Sequence, residues 1–312
     1  MKEKYLDLLD RYKMVLVLVG LLVICTIASP YFMTVSNILN VARQIAIIGI
    51  LSVGMTFVIL TGGIDLSIGP TMALATVLIA LLGPVNGMFG IIAALAIGFL
   101  VGIVNGAIIA YLNVQAFIVT LGMMSVLRGI GFTISKGSPI TGVSENILFF
   151  GRGKILDVIP LQVIFFIAIA IIAVIILKYT PLGRYTYAIG GNLEATRLSG
   201  INVKRYTMLI YGICGLLAGF AGILMATQLN MGEAKLGDGL EMDAIAAVVI
   251  GGTSLKGGVG TVGGTIIGIL IIGFLGNLLN LMDVPSYTQL IFKGGIIVVA
   301  ATMQIDRKSN KC

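Results

Sequence analysis

The sequence predicts an all-α fold: a polytopic transmembrane helical bundle of about ten spans with both termini in the cytoplasm. Three observations predict it. The 312 residues are 58% hydrophobic and only 11% charged, whereas soluble domains carry roughly 25% charged residues. The apolar residues are gathered into runs close to the ~20 residues that cross a bilayer. Glycine, at 42 residues, is abundant in the manner of membrane helices, where it lets backbones approach closely.

In order, the candidate spans are 14–31, 43–61, 67–83, 88–112, 115–135, 160–178, 206–228, 241–256, 260–282 and 286–304. They make 1–312 a single transmembrane domain with two long connections, 136–159 and 179–205. The first run follows Lys2, Lys4, Arg11 and Lys13 and ends in Thr26-Ile27-Ala28, a pattern shared with signal peptides. With so many spans behind it, an uncleaved first helix is the simpler reading. Cytoplasmic loops of membrane proteins carry an excess of Lys and Arg. An even number of spans with the N-terminus inside places Lys2, Lys4, Arg11, Lys13, Lys178, Arg184, Arg197, Lys204, Arg205, Lys256, Arg307, Lys308 and Lys311 in the cytoplasm, thirteen of the 20 basic residues. The loop 136–159, then extracytoplasmic, offers only Lys136, Arg152 and Lys154, offset by Glu145 and Asp157. The net charge of +7 is therefore a topology signal and not a nucleic-acid footprint.

Composition also removes several chemistries. The absence of His excludes an imidazole general base, a histidine-led triad and a His metal site. Cys25 and Cys214 lie in apolar runs and Cys312 is the last residue, so no CxxC pair exists. Gly258-x-Gly260-x-x-Gly263 matches a dinucleotide fingerprint, but no strand precedes it and no βαβ unit surrounds it. A membrane-embedded enzyme thus has no catalytic constellation, and no metal site or cofactor is expected in this chain.

Two spans carry glycine ladders, Gly98-x3-Gly102-x3-Gly106 and Gly260-x3-Gly264-x3-Gly268, which put a smooth face toward another helix. A looser pattern links Ile97-Gly98-Phe99-Leu100, followed by Asn105, Asn113 and Gln115, to Ile272-Gly273-Phe274-Leu275, followed by Asn277, Asn280 and Gln289. The charge-derived topology runs these two segments in opposite directions, as an inverted repeat would.

Thr61-Gly62-Gly63-Ile64-Asp65-Leu66-Ser67-Ile68-Gly69-Pro70 interrupts two apolar runs. An acid at this depth costs roughly 2.5–3.5 kcal/mol on insertion scales, and freed backbone groups survive only where protein or water meets them. The segment is a broken helix beside a permeation path, a structural turn in which Asp65 caps the next helix from Leu66, or both. The amides Asn105, Gln115, Asn277, Asn280 and Gln289 can bind solute hydroxyls or glue helices together. With Thr61, Asp65 and Ser67 they form the candidate translocation path. Asp65, Arg128 and Lys293 are the intramembrane charges that stand out, few for the proton or sodium relay of an ion-coupled secondary transporter, which remains the alternative reading.

In the connection 179–205, Pro181 and Gly183 stop the preceding span, Asn192 caps a short helix at 193–199, and Gly200 ends it. A lone helix of this length does not hold in water, so it should dock on something; the alternative is an ordinary tethered loop.

Leu60 to Gly69, Leu182-Gly183-Arg184-Tyr185 through Asn192, Glu194-Ala195-Thr196-Arg197-Leu198-Ser199-Gly200-Ile201, and Asp243 to Leu255 resemble, in this order, the signatures of the ribose/xylose/arabinose-type ABC importer permeases. Within that family the chain looks most like the ribose permeases, over about residues 20–303. The resemblance implies a permease of the bacterial inner membrane that moves a monosaccharide, ribose foremost, by alternating access. It implies that the Glu194–Gly200 segment is a coupling helix, with Arg184, Asn192, Glu194, Ala195, Arg197, Gly200 and Asn202 facing an ATPase. It implies as partners a second permease copy, a cytoplasmic ATP-binding subunit and an extracytoplasmic sugar-binding protein, and it implies an inverted repeat. No GxxxxGK[ST] loop is present, so ATP and Mg belong to the partner.

Overall fold

In lipid, each backbone N–H and C=O must be satisfied within the protein, and the apolar runs of this chain do so as helices. A computed structural model describes residues 2–292, 294, 295 and 298, with side chains from Met14 onward. The side chains of Lys2, Lys4, Arg11, Lys13, Lys293, Arg307, Lys308, Lys311 and Cys312 lie outside the described residues, as does the far part of the span expected at 286–304.

The helices are α1 (Lys2–Ala28), α2 (Val35–Leu60), α3 (Ile68–Leu82), α4 (Gly87–Leu112), α5 (Ala116–Ser135) and α6 (Phe149–Arg152). They continue with α7 (Leu161–Tyr179), α8 (Pro181–Gly191), α9 (Leu193–Leu198), α10 (Val203–Leu229), α11 (Leu240–Ile250) and α12 (Val262–Leu281). A further helical stretch covers 286–292. Among the described residues, four two-residue strands form two antiparallel pairs: β1 (Ile140–Thr141) with β4 (Met231–Gly232), and β2 (Lys154–Ile155) with β3 (Ile159–Pro160). Thr34, Asn86, Thr180, Asn192, Asn202 and Thr261 each cap a helix by accepting N–H groups of its first turn, which satisfies donors that have no partner inside the helix.

Among the described residues, six helices are long and apolar enough to cross a membrane: α2, α4, α5, α7, α10 and α12. Met14–Ala28 of α1 and Ile68–Leu82 of α3 are apolar but shorter. The expected span 241–256 is not a full crossing. Helix α11 has 11 residues, about 16 Å at 1.5 Å per residue, against a hydrocarbon core of about 30 Å. The reason lies just upstream: the non-helical segment 230–239 enters the bundle alongside α3. Gly232 lies against the backbone of Thr76, and Gly237 against Met72 and Gly69, so α11 begins deep inside rather than at the bundle's end. In the same way the break at 61–67 precedes the 15-residue α3.

The order of long helix, irregular segment, short helix and glycine-bearing helix therefore occurs twice, as α2–α3–α4 and as α10–α11–α12. Their packing corresponds. Helices α2 and α10 cross each other; α10 packs on α3 and α4, while α2 packs on α11 and α12; α3 pairs with α4, and α11 with α12. The α2–α10 crossing fills the core with Ile50, Met55, Phe57, Ile210, Tyr211 and Cys214, all at most 1% exposed. The ladder of α4 works as expected: Gly98 meets Gly215 and Gly219, Gly102 meets Tyr211 and Gly212, and Gly106 meets Met208. In the second ladder Gly264 and Gly268 pack on Ala247 of α11 and on Gly251 just after it, whereas Gly260 precedes α12.

Three connections that the charge pattern puts on one side meet at one end of the bundle. The Gly258 N–H donates to the Leu60 carbonyl at 2.9 Å, Gly190 touches both Leu60 and Gly258, and the Tyr187 hydroxyl donates to the Gly260 carbonyl at 2.9 Å. At the other end, β1 pairs with β4, the Val143 N–H donates to Asn230 Oδ1 at 2.9 Å, and Arg152 Nε donates to the Gln228 carbonyl at 3.2 Å.

Candidate translocation cavity and coupling helix

At that second end, a cavity of about 290 Å³ is bounded by α2, α10, α11, α12 and the helical stretch from 286. Its size is at the low end of small-molecule sites, roughly 300–1,000 Å³. Gln44 projects from α2, Gln228 from the last turn of α10, Asp243 from the first turn of α11, Asn280 from the last turn of α12, and Gln289 from the following helix. Ile47, Ile48, Met225, Leu240 and Ile272 supply apolar surface between them. Gln289 Nε2 donates to Asn280 Oδ1 at 2.8 Å and to the Val284 carbonyl at 2.9 Å, so these two amides are oriented before any ligand arrives. Amides donate and accept, and a carboxylate accepts. A ring of such groups over aliphatic walls suits a small solute that carries several hydroxyls and C–H faces.

Of the candidate translocation-path residues Thr61, Asp65, Ser67, Asn105, Gln115, Asn277, Asn280 and Gln289, only Asn280 and Gln289 line this cavity. Asp65, Ser67 and Asn105 form a separate buried cluster, each at most 1% exposed. Asp65 Oδ1 accepts from the Ser67 N–H at 2.9 Å and from the Ser67 hydroxyl at 2.6 Å, and Asn105 Nδ2 donates to Ser67 Oγ at 2.9 Å. Helix α3 starts at Ile68 rather than Leu66, so Asp65 holds the turn ahead of the helix instead of its first residue. Thr61 ends α2 and bonds its own helix through the Val58 carbonyl at 2.7 Å. Gln115 is exposed at the start of α5 and makes no capping bond. Asn277 exchanges two hydrogen bonds with Asn37, at 2.9 and 2.8 Å, and thereby joins α12 to α2.

Sequence reasoning missed Gln44, Gln228 and Asp243. It also missed that Glu241 and Asp243 are both buried acids, 6% and 4% exposed. The available signal was Gly239-Leu240-Glu241-Met242-Asp243, two acids opening an apolar run after glycine, the same grammar as the break at Asp65.

At the opposite end stands the short helix expected at 193–199. It is α9, Leu193–Leu198, with Asn192 Oδ1 accepting from the Ala195 N–H at 2.9 Å and Gly200 beyond it at φ +80°. Leu193, Glu194, Ala195, Arg197, Leu198 and Gly200 are exposed and Thr196 is buried. Glu194 and Arg197 pair at 3.5 Å. Asn202 caps α10 by accepting from the Arg205 N–H at 3.1 Å. Pro181 and Gly183 do not lead into an open loop. Thr180 caps a second helix there, α8, with Pro181 at its first position, where its missing N–H is harmless.

Membrane-crossing helices, broken segments inside the bundle and one small polar cavity at one end define a multi-pass helical membrane permease. The chain belongs to the family described as "Branched-chain amino acid transport system / permease component", which matches residues 37–301. The ribose import permease protein of Escherichia coli (strain K12) is 47% identical over 298 residues, spanning 94% of this chain and 92% of that protein. The ribose import permease protein of Bacillus subtilis (strain 168) is 45% identical, spanning 93% and 90%. The xylose transport system permease protein of Haemophilus influenzae is 33% identical, spanning 89% and 91%. No solved structure matches the chain.

Proposed function

We propose that this chain is the transmembrane permease of an ATP-binding-cassette importer that carries ribose into the cytoplasm across the bacterial inner membrane. The observation that carries the reading is the cavity: four amides and a carboxylate set among aliphatic side chains, in a chain whose relatives include ribose import permeases. About ten spans, both termini inside and an inverted repeat of α2–α3–α4 and α10–α11–α12 complete the topology. The cavity then lies at the outer face and the meeting of Leu60, Gly190 and Gly258 closes the cytoplasmic face. This is the outward-facing state of an alternating-access cycle.

Helix α9 is the coupling element. Its exposed Leu193 and Leu198, 52% and 82% exposed, are apolar groups at an aqueous face that a partner's groove can bury. The partner is a cytoplasmic ATP-binding subunit that holds ATP and Mg; a second permease copy and an extracytoplasmic sugar-binding protein complete the importer. ATP binding shifts the permease only to the extent that the ATP-bound partner favours one state over the other.

Uptake of labelled ribose by cells carrying the complete importer tests this. Uptake should stop on ATP depletion and survive collapse of the proton gradient. Uptake that follows the proton or sodium gradient and ignores ATP would establish an ion-coupled carrier instead.

A further inference from the structure

One amide of the cavity wall is held in place by residues that do not themselves line the cavity. Gln228 sits in the last turn of α10 and faces the cavity, and α6 and α7 meet it there. The bare Cα of Gly151 lies against the backbone N of Gln228 and against Thr227, and Arg152 Nε donates to the Gln228 carbonyl at 3.2 Å. Gln162, fully buried in the first turn of α7, donates through Nε2 both to the Gly151 carbonyl and to Gln228 Oε1, the latter at 3.3 Å. A backbone carbonyl can only accept. The Gly151 carbonyl therefore fixes which end of the Gln162 amide points its way, and Gln228 must turn its own oxygen to the same N–H2 group. That leaves Gln228 Nε2 for the cavity. Gln162 Oε1 is buried with no partner among the described residues. An open buried acceptor costs stability, so the fold alone does not call for a Gln here, and local rules are broken most often where a site needs it.

We infer that Gln162 is a positioning residue of this cavity: it holds the Gln228 amide with its N–H2 turned to the solute, ready to donate to a sugar oxygen. An amide already fixed in its binding orientation loses less freedom when the ligand arrives. Without the tie, Gln228 is free to present either end of its amide. The inference rests on the cavity being the sugar path and deepens that reading.

The test is a double-mutant cycle on D-ribose affinity, read in equilibrium titrations of the full-length permease in nanodiscs. Gln162→Met keeps the length of the side chain and removes both donated bonds; it should weaken ribose binding about fivefold. Gln228→Met should weaken it about tenfold. The double variant should stay within about threefold of Gln228→Met, because Gln162 then has nothing left to position. A double variant weaker than that, with the two losses multiplying, overturns the inference. Gln228→Glu keeps an oxygen for Gln162 and replaces the N–H2 by a second acceptor. It should lose about tenfold as well, and unchanged affinity there overturns the inference; it carries the test alone if Gln162→Met does not fold. A wild type that binds no ribose, or a Gln228→Met that binds it as tightly as wild type, sinks the sugar assignment of the cavity and the role of Gln162 with it. Affinity that falls in Gln228→Met but not in Gln162→Met sinks the role of Gln162 alone.

Discussion

Asp65 is tolerated in the bundle because Ser67 gives it two donors and Asn105 extends the chain by a third. Each polar residue of this trio was visible in the sequence as a polar group in an apolar run. Their meeting was not, because Asn105 lies 38 positions from Ser67. Asn105→Ala leaves the Ser67 oxygen without its donor in a buried site, a loss of about 1–3 kcal/mol. It should lower the thermal unfolding midpoint of the detergent-solubilised permease, and an unchanged midpoint would count against the cluster as a structural tie. Gly215 makes a second residue-scale case, since an added Cβ there meets the Gly98 carbonyl. Gly215→Leu should force α4 and α10 apart, an overpacking of at least about 1–3 kcal/mol. The readout is the yield of monodisperse protein on size exclusion, which a peripheral position would leave intact.

At the scale of the element, the irregular segment 230–239, paired with β1 and bonded to Thr76, is also tied to α5. Arg128 of α5 donates to the Ala234 carbonyl at 2.5 Å and to the Leu236 carbonyl at 3.3 Å, and pairs with Asp238 at 3.3 Å. An Arg within a span costs several kcal/mol when bare, and here the freed carbonyls of a non-helical segment and the guanidinium satisfy each other. Arg128→Gln should loosen the entry to α11 and reduce ribose uptake while α9 still binds the ATPase. Pull-down of the ATPase beside uptake checks this, and full uptake in the variant would remove the segment from the transport path. Helix α9 predicts the opposite pattern. Glu194→Lys with Gly200→Leu reverses an exposed charge and strains a position at φ +80°, at roughly 1–2 kcal/mol for a residue with a Cβ. It should abolish ATPase binding and uptake with little change in the unfolding midpoint of the transmembrane bundle. Retained ATPase binding would show that the partner docks elsewhere. Helix α9 was legible because its cap, its terminating glycine and its polarity are all local. Helix α8 was not, because Pro181 and Gly183 read equally as a stop and as a start, and only the Thr180 cap with tertiary packing decides.

For the whole molecule, the cavity at one end and the closed glycine contacts at the other make an accessibility prediction. In a background with Cys25, Cys214 and Cys312 changed to alanine, Asn280→Cys should react with a membrane-impermeant thiol reagent from outside in the resting permease. Adding the ATPase, the binding protein and ATP should alter that rate as the cavity closes. Labelling from the cytoplasmic side in the resting state would reverse the assignment of faces. The two sets α2–α3–α4 and α10–α11–α12 pack on each other through their long helices, so a shift of one set against the other moves the walls of the cavity together.

The polytopic helical fold was determined by the sequence itself, because a 58% apolar chain with 11% charge cannot coat itself for water and must satisfy its backbone internally. So were the ladder contact of α4, the break at Gly62-Gly63 and the capped helix α9, each set by residues a few positions apart. The tertiary structure alone decided that α11 is a half-length helix entered through a segment lying along α3, and that Gln44, Gln228, Asp243, Asn280 and Gln289 share one cavity. The reason is physical: an amide or acid in an apolar run reads the same whether it holds two helices together or faces a solute. Only the crossing of helices separated by hundreds of residues determines which.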